Sequence, residues 1–223
     1  MHEIEKDDRI VTKYAPLRVG AGKSEQYGTV YFEEEGFIEL WQDSSLEIDK
    51  LVINSKNKEQ DILAVGSDGA AGKPGEPGGN GADGGNIEIV IRELTDAIKI
   101  VTCGGNGGRG GYGGAGGNGG DGTYNGKGAC GGNGGNGGNG GNGGKGPHLV
   151  VKYRSPNNSK ITVLNEISQC GKGGMPGHGG KGGRNGNTDT YAADGKDGKS
   201  GADGTKGIKG SCEIIRLSEE ELP

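Results

Sequence analysis

Apolar and aromatic residues are scarce in this sequence. Of its 223 residues, 29% are hydrophobic and 4% are aromatic, with a single tryptophan, Trp41. This is too little apolar surface for the core of a helical or α/β enzyme domain of this length. The chain also lacks any run of about 18 consecutive apolar residues, so we expect no insertion into a membrane.

The residue types that usually carry catalysis or bind metals are few and scattered. The four cysteines form no Cys-x-x-Cys pair, and the three histidines form no His-x-x-x-His pair. The nucleophile motif Gly-x-Ser-x-Gly is missing as well. The sequence therefore predicts no catalytic residue, no bound metal and no cofactor, and we expect the protein not to be an enzyme.

Positive charge is not in excess. The chain has 25 lysines and arginines against 30 acidic residues, a formal net charge of −5. Proteins that bind nucleic acid normally present a surplus of positive charge, so we expect no nucleic-acid partner. The first eight residues are acidic and lack the apolar segment of a secretory signal, which predicts a cytoplasmic or virion-associated location.

Glycine is the residue that the chain has in abundance. It occupies 54 of the 223 positions, and within separate tracts that begin at Gly66 it recurs at every third residue. That period matches a polyproline-II-type helix, which has three residues per turn and rises about 3.1 Å per residue. Five tracts carry the period: 66–84, 104–122, 131–146, 171–186 and 195–210.

Three arrangements could contain such tracts. Collagen needs three chains and about 15–20% proline, whereas this chain has seven prolines in total. A flexible linker combines glycine with serine and keeps no register. An intramolecular bundle of polyglycine-II helices fits best, because the two glycines of a Gly-Gly-x triplet let neighbouring backbones approach closely. The third residue is then expected to face solvent. A monomer is favoured, with a collagen-like homotrimer as the alternative.

Short β-prone runs fill the rest of the chain. Tyr27–Phe32, Gly36–Trp41 and Leu46–Ile53 predict an N-terminal β-meander over residues 1–65. In residues 66–217, further β-prone pieces predict hairpins that join the tracts of the bundle, and residues 218–223 form a tail. The predicted fold class is mainly β with a polyglycine-II bundle and little or no α-helix.

Two connections between tracts are predicted to be tip loops. The chain passes from the second tract to the third through residues 123–130, and from the fourth to the fifth through residues 187–194. Each loop contains one tyrosine among polar residues, and loops held by a rigid scaffold commonly carry binding residues. The candidate partner-binding residues are Tyr124, Asn125, Lys127, Asp189, Tyr191 and Asp194.

The pattern from Gly143 through Pro147 and Val151 to Gly174 resembles the N-terminal glycine-rich domain of the Obg family of GTPases. That family sets glycine-rich polyproline-II prongs on a β-barrel. The resemblance covers roughly residues 66–217 in pattern, and the 223 residues contain no GTPase domain after it, so we expect no nucleotide hydrolysis. The run of four Gly-Gly-Asn triplets also resembles the glycine-rich domain of T-even phage tail-fibre tip adhesins, whose polyglycine-II sandwich presents host-binding loops.

These observations lead to an expectation about function. We expect a non-enzymatic structural or interaction module that presents a rigid polyglycine-II bundle and its tip loops to a protein partner. One alternative is a receptor-binding adhesin at the tip of a phage or cell-surface fibre, which would bind a cell-surface receptor. The other is a collagen-like trimer.

Overall fold

A computed structural model of the chain describes residues 8–57 and 59–218. These residues contain strands and irregular segments but no helix, so the mainly-β fold class is confirmed. The strands, in chain order, are β1 (Arg9–Val11), β2 (Leu17–Val19), β3 (Ser24–Phe32), β4 (Ile38–Trp41), β5 (Ser45–Ile53), β6 (Ile62–Val65), β7 (Asn86–Leu94), β8 (Ile98–Cys103), β9 (His148–Tyr153), β10 (Ile161–Asn165) and β11 (Ser211–Arg216).

The strands form two sheets in which all neighbours are parallel. The odd-numbered strands build one sheet in the order β1-β3-β5-β7-β9-β11, and the even-numbered strands build the other in the order β10-β8-β6-β4-β2. The chain therefore crosses to the opposite sheet after every strand. Two successive crossings return it to the first sheet and complete one turn, which we call a coil. Ser24 of β3 lies opposite Ser45 of β5, so a coil without an insertion takes 21 residues.

This topology corrects the predicted meander and hairpins. β3 and β5 pair in parallel with each other, while β4 lies in the opposite sheet, whereas a meander needs antiparallel neighbours. For the same reason β7 and β8 form no hairpin, and neither do β9 and β10. The predicted division at residue 65 is also wrong, because β6 before it pairs with β8 after it.

The core lies between the two sheets and is mostly aliphatic. In β7, Ile87, Ile89 and Ile91 are buried, while Asn86 and Glu88 on the other face are exposed. Burying one such side chain contributes about 1.5–3 kcal/mol. The even-numbered sheet adds further buried side chains: Ile38, Leu40, Ile62 and Ile100. A thin two-sheet coil can thus be filled by the small number of apolar residues in this chain.

Three glycine-rich insertions leave this β-coil at the same end. They connect β6 with β7, β8 with β9, and β10 with β11, where the chain crosses from the even-numbered sheet to the odd-numbered sheet. Each insertion runs outward and then returns, so we call it a prong and its two halves arms. Arms 1 and 2 are residues 66–73 and 76–85, arms 3 and 4 are residues 104–122 and 127–147, and arms 5 and 6 are residues 166–184 and 192–210.

The first predicted tract, 66–84, is not one rod but two. The chain reverses at Gly75, which has a φ of 76°, and the N–H of Glu76 bonds the carbonyl of Lys73 at 2.8 Å. Proline followed by glycine is the usual centre of a type II turn, and Pro74 precedes Gly75 here. The first prong is consequently about half as long as the other two.

Backbone hydrogen bonds that repeat every third residue join the arms side by side. The outgoing arms 1, 3 and 5 form one layer, the returning arms 2, 4 and 6 form a second layer, and further bonds connect the layers. Because the arm glycines have no Cβ that would separate the backbones, donor–acceptor distances stay short. Examples between 2.7 and 2.9 Å are Gly72–Arg109, Gly110–Lys172, Gly81–Asn142, Gly134–Lys196 and Gly135–Gly114.

Candidate interaction site at the distal loops

The far ends of the second and third prongs are held together by their arms. At the end of arm 3, the N–H of Gly122 bonds the carbonyl of Arg184 in arm 5 at 2.8 Å. Between the two layers, the N–H of Gly183 in arm 5 bonds the carbonyl of Ala129 in arm 4 at 2.8 Å. The two connecting loops, residues 123–126 and 185–191, therefore start from backbones that are already fixed relative to each other.

The loop of the second prong is a tight turn. The N–H of Gly126 bonds the carbonyl of Thr123 at 2.7 Å, so that Tyr124 and Asn125 stand at its centre. Central turn residues expose their side chains, and the Tyr124 side chain is 75% exposed. A large aromatic group is thus presented to solvent at the tip.

The loop of the third prong is wider and is stabilised by its own side chains. The N–H of Asn185 bonds the carbonyl of Thr190 at 2.9 Å. The backbones of Arg184 and Tyr191 also pair in the manner of antiparallel β-strands. The guanidinium of Arg184 also pairs with the Asp189 carboxylate at 2.9 Å. Tyr191 is 66% exposed beside this pair.

The two loops contact each other directly. The N–H of Asn187 bonds the carbonyl of Tyr124 at 3.1 Å, and the Asn185 side chain accepts the N–H of Gly128 at 2.9 Å. Gly186 sits between them with a φ of 38°, where a Cβ would lie 2.6 Å from the Tyr124 carbonyl oxygen. This close approach explains the glycine at that position.

A cleft of about 460 Å³ opens between the loops. Three of the candidate residues, Tyr124, Asn125 and Lys127, line it, and the opposite wall is formed by residues 185–188. The sequence analysis assigned Asn185 and Gly186 to the fourth tract, and it placed residues 187 and 188 in the predicted tip loop without naming them as candidates. The Asn-Gly dipeptide, a common turn signal, could have identified the loop.

Asp189, Tyr191 and Asp194 do not line the cleft, and Asp194 lies in an arm and not in a loop. Its carboxylate pairs with Lys181 at 2.7 Å and accepts the N–H of Gly182 at 2.8 Å, so it joins arm 6 to arm 5 below the loops. The hydrogen bond from Lys181, followed by that from the Gly182 N–H, lowers the pKa of the Asp194 carboxyl. Asp194 therefore supports the scaffold and does not line the cleft.

The third residues of the triplets do more than face solvent. Asn136 is exposed as predicted, but its side-chain oxygen also accepts the N–H of Lys199 in the next arm at 2.8 Å. We call the repeated bonds of this kind the amide ladder. They recur along the arms, with Asn or Asp as the acceptor: Asp68–Asn106, Asn80–Asn142, Asp83–Lys145, Asn106–Gln169, Asn118–Lys181, Asp121–Arg184, Asn133–Lys196, Asn139–Ala202 and Asn142–Thr205.

The cysteines and potential metal ligands form no further site. All four cysteines are free thiols, and burial, followed by the nearby charges of Glu166 and Asp68, raises the pKa of Cys103. Among residues 8–57 and 59–218, no group of three or more His, Cys, Asp or Glu side chains is arranged to hold a metal ion. Over the same ranges, no helix is long and apolar enough to cross a membrane.

Comparisons with family models, with curated proteins and with solved structures find no match to this chain. The resemblances to the Obg domain and to phage adhesins consequently stay at the level of sequence pattern. The geometry of the distal loops is the evidence on which a functional proposal can rest.

Proposed function

We propose that this protein is a non-enzymatic interaction module that presents its distal cleft to a protein partner. The observation that carries this proposal is the contact between two loops that lie about sixty residues apart in sequence, such as the 3.1 Å bond from Asn187 to Tyr124. A scaffold that fixes both loops reduces the conformational entropy lost on binding. Tyrosines also supply contact area with few rotatable bonds.

The scaffold in this proposal is a polyglycine-II bundle. Its support is the three-residue period of the inter-arm hydrogen bonds, which matches the three residues per turn of that helix. The N–H groups of Gly131, Gly134 and Gly137, for example, donate in sequence to arm 6 at 2.8–2.9 Å. A far-UV circular dichroism spectrum of the polyproline-II type would support this interpretation, whereas a spectrum of β-structure and coil alone would count against it.

The same hydrogen bonds favour a monomer over the collagen-like trimer. In collagen the glycine N–H groups bond other chains, whereas here most of the glycine N–H groups of the arms already have partners within one chain. We expect size-exclusion chromatography with light scattering to give the mass of one chain, 22.6 kDa. A mass three times larger, with loss of structure near ambient temperature, would favour the trimer instead.

A receptor-binding adhesin is the second candidate function. The exposure of both Tyr124 and Tyr191 beside polar side chains favours it, because aromatic and polar groups together suit recognition of a cell-surface receptor. Binding of the labelled protein to whole cells would distinguish this candidate from an intracellular scaffold.

The test of the proposal compares tyrosines at the two ends of the molecule. In the double variant Tyr124→Ala/Tyr191→Ala, we expect at least a tenfold loss of partner or cell binding with an unchanged melting temperature. Tyr14→Ala is the matched control, because Tyr14 is 81% exposed and belongs to the β-coil, next to β1. Equal binding by the wild type, the double variant and the control would refute the role of the cleft.

A further inference from the structure

The short first prong leaves part of the second prong without a neighbour. Arms 1 and 2 lie against arms 3 and 4 only as far as Tyr112, whose carbonyl accepts the N–H of Gly75 at 2.8 Å. Arm 3 continues to Gly122, and the matching part of arm 4 begins near Lys127. Within the described ranges, nothing in the chain occupies the place that a longer first prong would fill.

In the covered half, arm 2 lies in a groove between arms 3 and 4. On one side, its carbonyl groups accept the N–H groups of arm 3 at 2.8–2.9 Å. On the other side, its glycine N–H groups donate to carbonyls of arm 4 at 2.8 Å. The bonds to arm 3 are Gly105–Ala82, Gly108–Gly79 and Gly111–Glu76, and those to arm 4 are Gly78–Asn139, Gly81–Asn142 and Gly84–Lys145.

The same two rows continue into the uncovered half. Three N–H groups of arm 3 and three carbonyls of arm 4 repeat the spacing of the bonded ones, but they have no hydrogen-bond partner among residues 8–57 and 59–218. The row of donors is Gly114, Gly117 and Gly120, and the row of acceptors is Cys130, Asn133 and Asn136. Open rows of backbone groups are templates on which an extended chain can add, as at the edge of a β-sheet.

The residues that line the uncovered half keep the sequence of the covered half. In arm 4, Gly138 and Gly141 are buried under arm 2, and a Cβ at either position would overlap an arm 2 carbonyl. Gly132 and Gly135 continue the row but are exposed. The chain thus leaves room for a close backbone neighbour at a place where the described residues supply none.

From these observations we propose that the open groove binds one extended, glycine-rich segment of another polypeptide. The segment lies end to end with arm 2 and runs in the same direction as arm 4. In that position its carbonyls accept the three free N–H groups of arm 3, and its N–H groups donate to the three free carbonyls of arm 4. The match covers three triplets, about 28 Å of polyproline-II-type chain.

The contacts of arm 2 also define the sequence that would fit. The residue that donates to arm 4 must be glycine, because a Cβ at Gly78 or Gly81 would overlap a carbonyl of arm 3. The residue before it carries the amide ladder, since Asn80 accepts the N–H of Asn142 at 2.9 Å. The preceding residue tolerates side chains, as Glu76 and Ala82 show. The partner segment therefore has repeated x-Asn-Gly or x-Asp-Gly triplets.

This inference does not depend on the distal cleft. The groove lies along the side of the second prong, so variants of Tyr124 and Tyr191 leave it intact. Failure of either proposal can thus be recognised without affecting the other.

A peptide titration followed by NMR tests the groove. The probe is a synthetic peptide with the sequence of residues 76–84, Glu-Pro-Gly-Gly-Asn-Gly-Ala-Asp-Gly. We expect saturable shifts and slower solvent exchange for the amides of Gly114, Gly117 and Gly120 in the full chain. The control peptide carries Gly78→Ala, Gly81→Ala and Gly84→Ala and should produce no saturable shift.

A protein variant closes the groove from the other side. In Gly132→Ala/Gly135→Ala the new methyl groups lie 3.2 and 3.1 Å from the nearest arm 3 nitrogens, and Ala129 already carries a methyl group in the same row. We expect an unchanged melting temperature and at least a tenfold loss of peptide affinity.

Three results would overturn the proposal: no shift in the wild type at millimolar peptide, equal shifts with both peptides, or full binding by the folded variant. A dimer of the protein alone that already protects the three amides would place a second copy in the groove and overturn it as well.

Discussion

Two adjacent glycines of arm 3 should respond in opposite ways to the same substitution. A Cβ at Gly113 would overlap the carbonyl oxygen of Gly135 and lie 2.6 Å from the nitrogen of Gly177. At Gly114, a Cβ would meet no described atom within 4 Å, and the backbone there is not left-handed. The three-residue period is what turns one glycine toward the neighbouring arms and the next toward the open side that arm 1 covers nearer the β-coil, where a Cβ at Gly111 would overlap the carbonyl oxygen of Lys73.

The size of the first effect follows from the bonds at risk. Gly135 accepts the N–H of Gly177 at 2.9 Å and donates to Gly114 at 2.7 Å, and Gly113 donates to Met175 at 2.9 Å. A buried polar group left without a partner costs about 1–3 kcal/mol. If the methyl group at position 113 disrupts two of these three bonds, the variant Gly113→Ala loses about 2–6 kcal/mol of unfolding free energy.

The second effect has the opposite sign. Gly114→Ala removes conformational freedom from the unfolded chain without a clash, and such changes stabilise proteins by about 0.4–1 kcal/mol. Urea unfolding followed by circular dichroism measures both variants, and hydrogen exchange at Gly177 reports the local effect. The reasoning is refuted if Gly113→Ala is as stable as Gly114→Ala, or if Gly114→Ala is destabilised by more than about 1 kcal/mol.

Three further predictions concern side chains. Asn136→Ala removes the acceptor of the Lys199 N–H and should cost about 0.5–1.5 kcal/mol in the same urea assay, where a solvent-facing side chain without a partner would cost less than about 0.5 kcal/mol. The hydrogen bond from Lys172, and then that from a glycine N–H, lowers the pKa of the Asp203 carboxyl. The ionised carboxylate therefore stabilises the folded protein above about pH 4, and this stabilisation is lost as the pH falls through the folded-state pKa. Asp203→Asn should keep the hydrogen bond from the Gly173 N–H but reduce the dependence of the unfolding free energy on pH at acidic pH. An unchanged pH dependence would contradict this assignment. The thiol of Cys103 is half-buried with a raised pKa, while Cys130 is exposed; iodoacetamide at pH 8 should alkylate Cys130 faster, as peptide mass spectrometry can verify.

The sequence predicted the parts of the structure that have a short period. Glycine at every third residue marked the arms, and polar loops with Tyr124 and Tyr191 marked the two tips. Alternation in runs such as Ile87–Ile91 marked strands with one buried face. All of these signals are local, because each can be read from a short stretch of sequence.

Strand partners were the part that could not be predicted. Alternation states which face of a strand is buried but not which strand lies beside it, so the meander and the parallel coil fit the same runs. In addition, the prongs separate partners by long stretches of chain: Leu149 pairs with Cys212, for example, in the final coil. One signal was available in the amide ladder, where acceptor and donor stand 63 residues apart in several consecutive pairs.

The distal cleft was predicted in part for a related reason. Tyr124, Asn125 and Lys127 were found because they interrupt the glycine period, which is a local signal. Asn185 and Gly186 of the opposite wall were assigned to the fourth tract because Gly186 lies three residues after Gly183 and so continues the period, although the chain has already turned there. Asp194 was included because it ends the predicted tip loop 187–194, but its partner is Lys181, which the loop sequence does not contain.

The residues between the glycines are matched to the backbone beside them. Along arm 6, aspartates accept N–H groups of arm 5 in the pairs Asp194–Gly182, Asp197–Gly179 and Asp203–Gly173. The same spacing places residue 200 opposite residue 176, and there the chain has Ser200 and Pro176. Proline has no N–H to donate, so among the four positions 194, 197, 200 and 203 the one without an aspartate is the one whose neighbour has no donor; the series ends at Lys206, opposite Cys170. A side chain chosen only for contact with water would not follow that rule, and the match therefore supports the pairing of these two arms independently of their glycines.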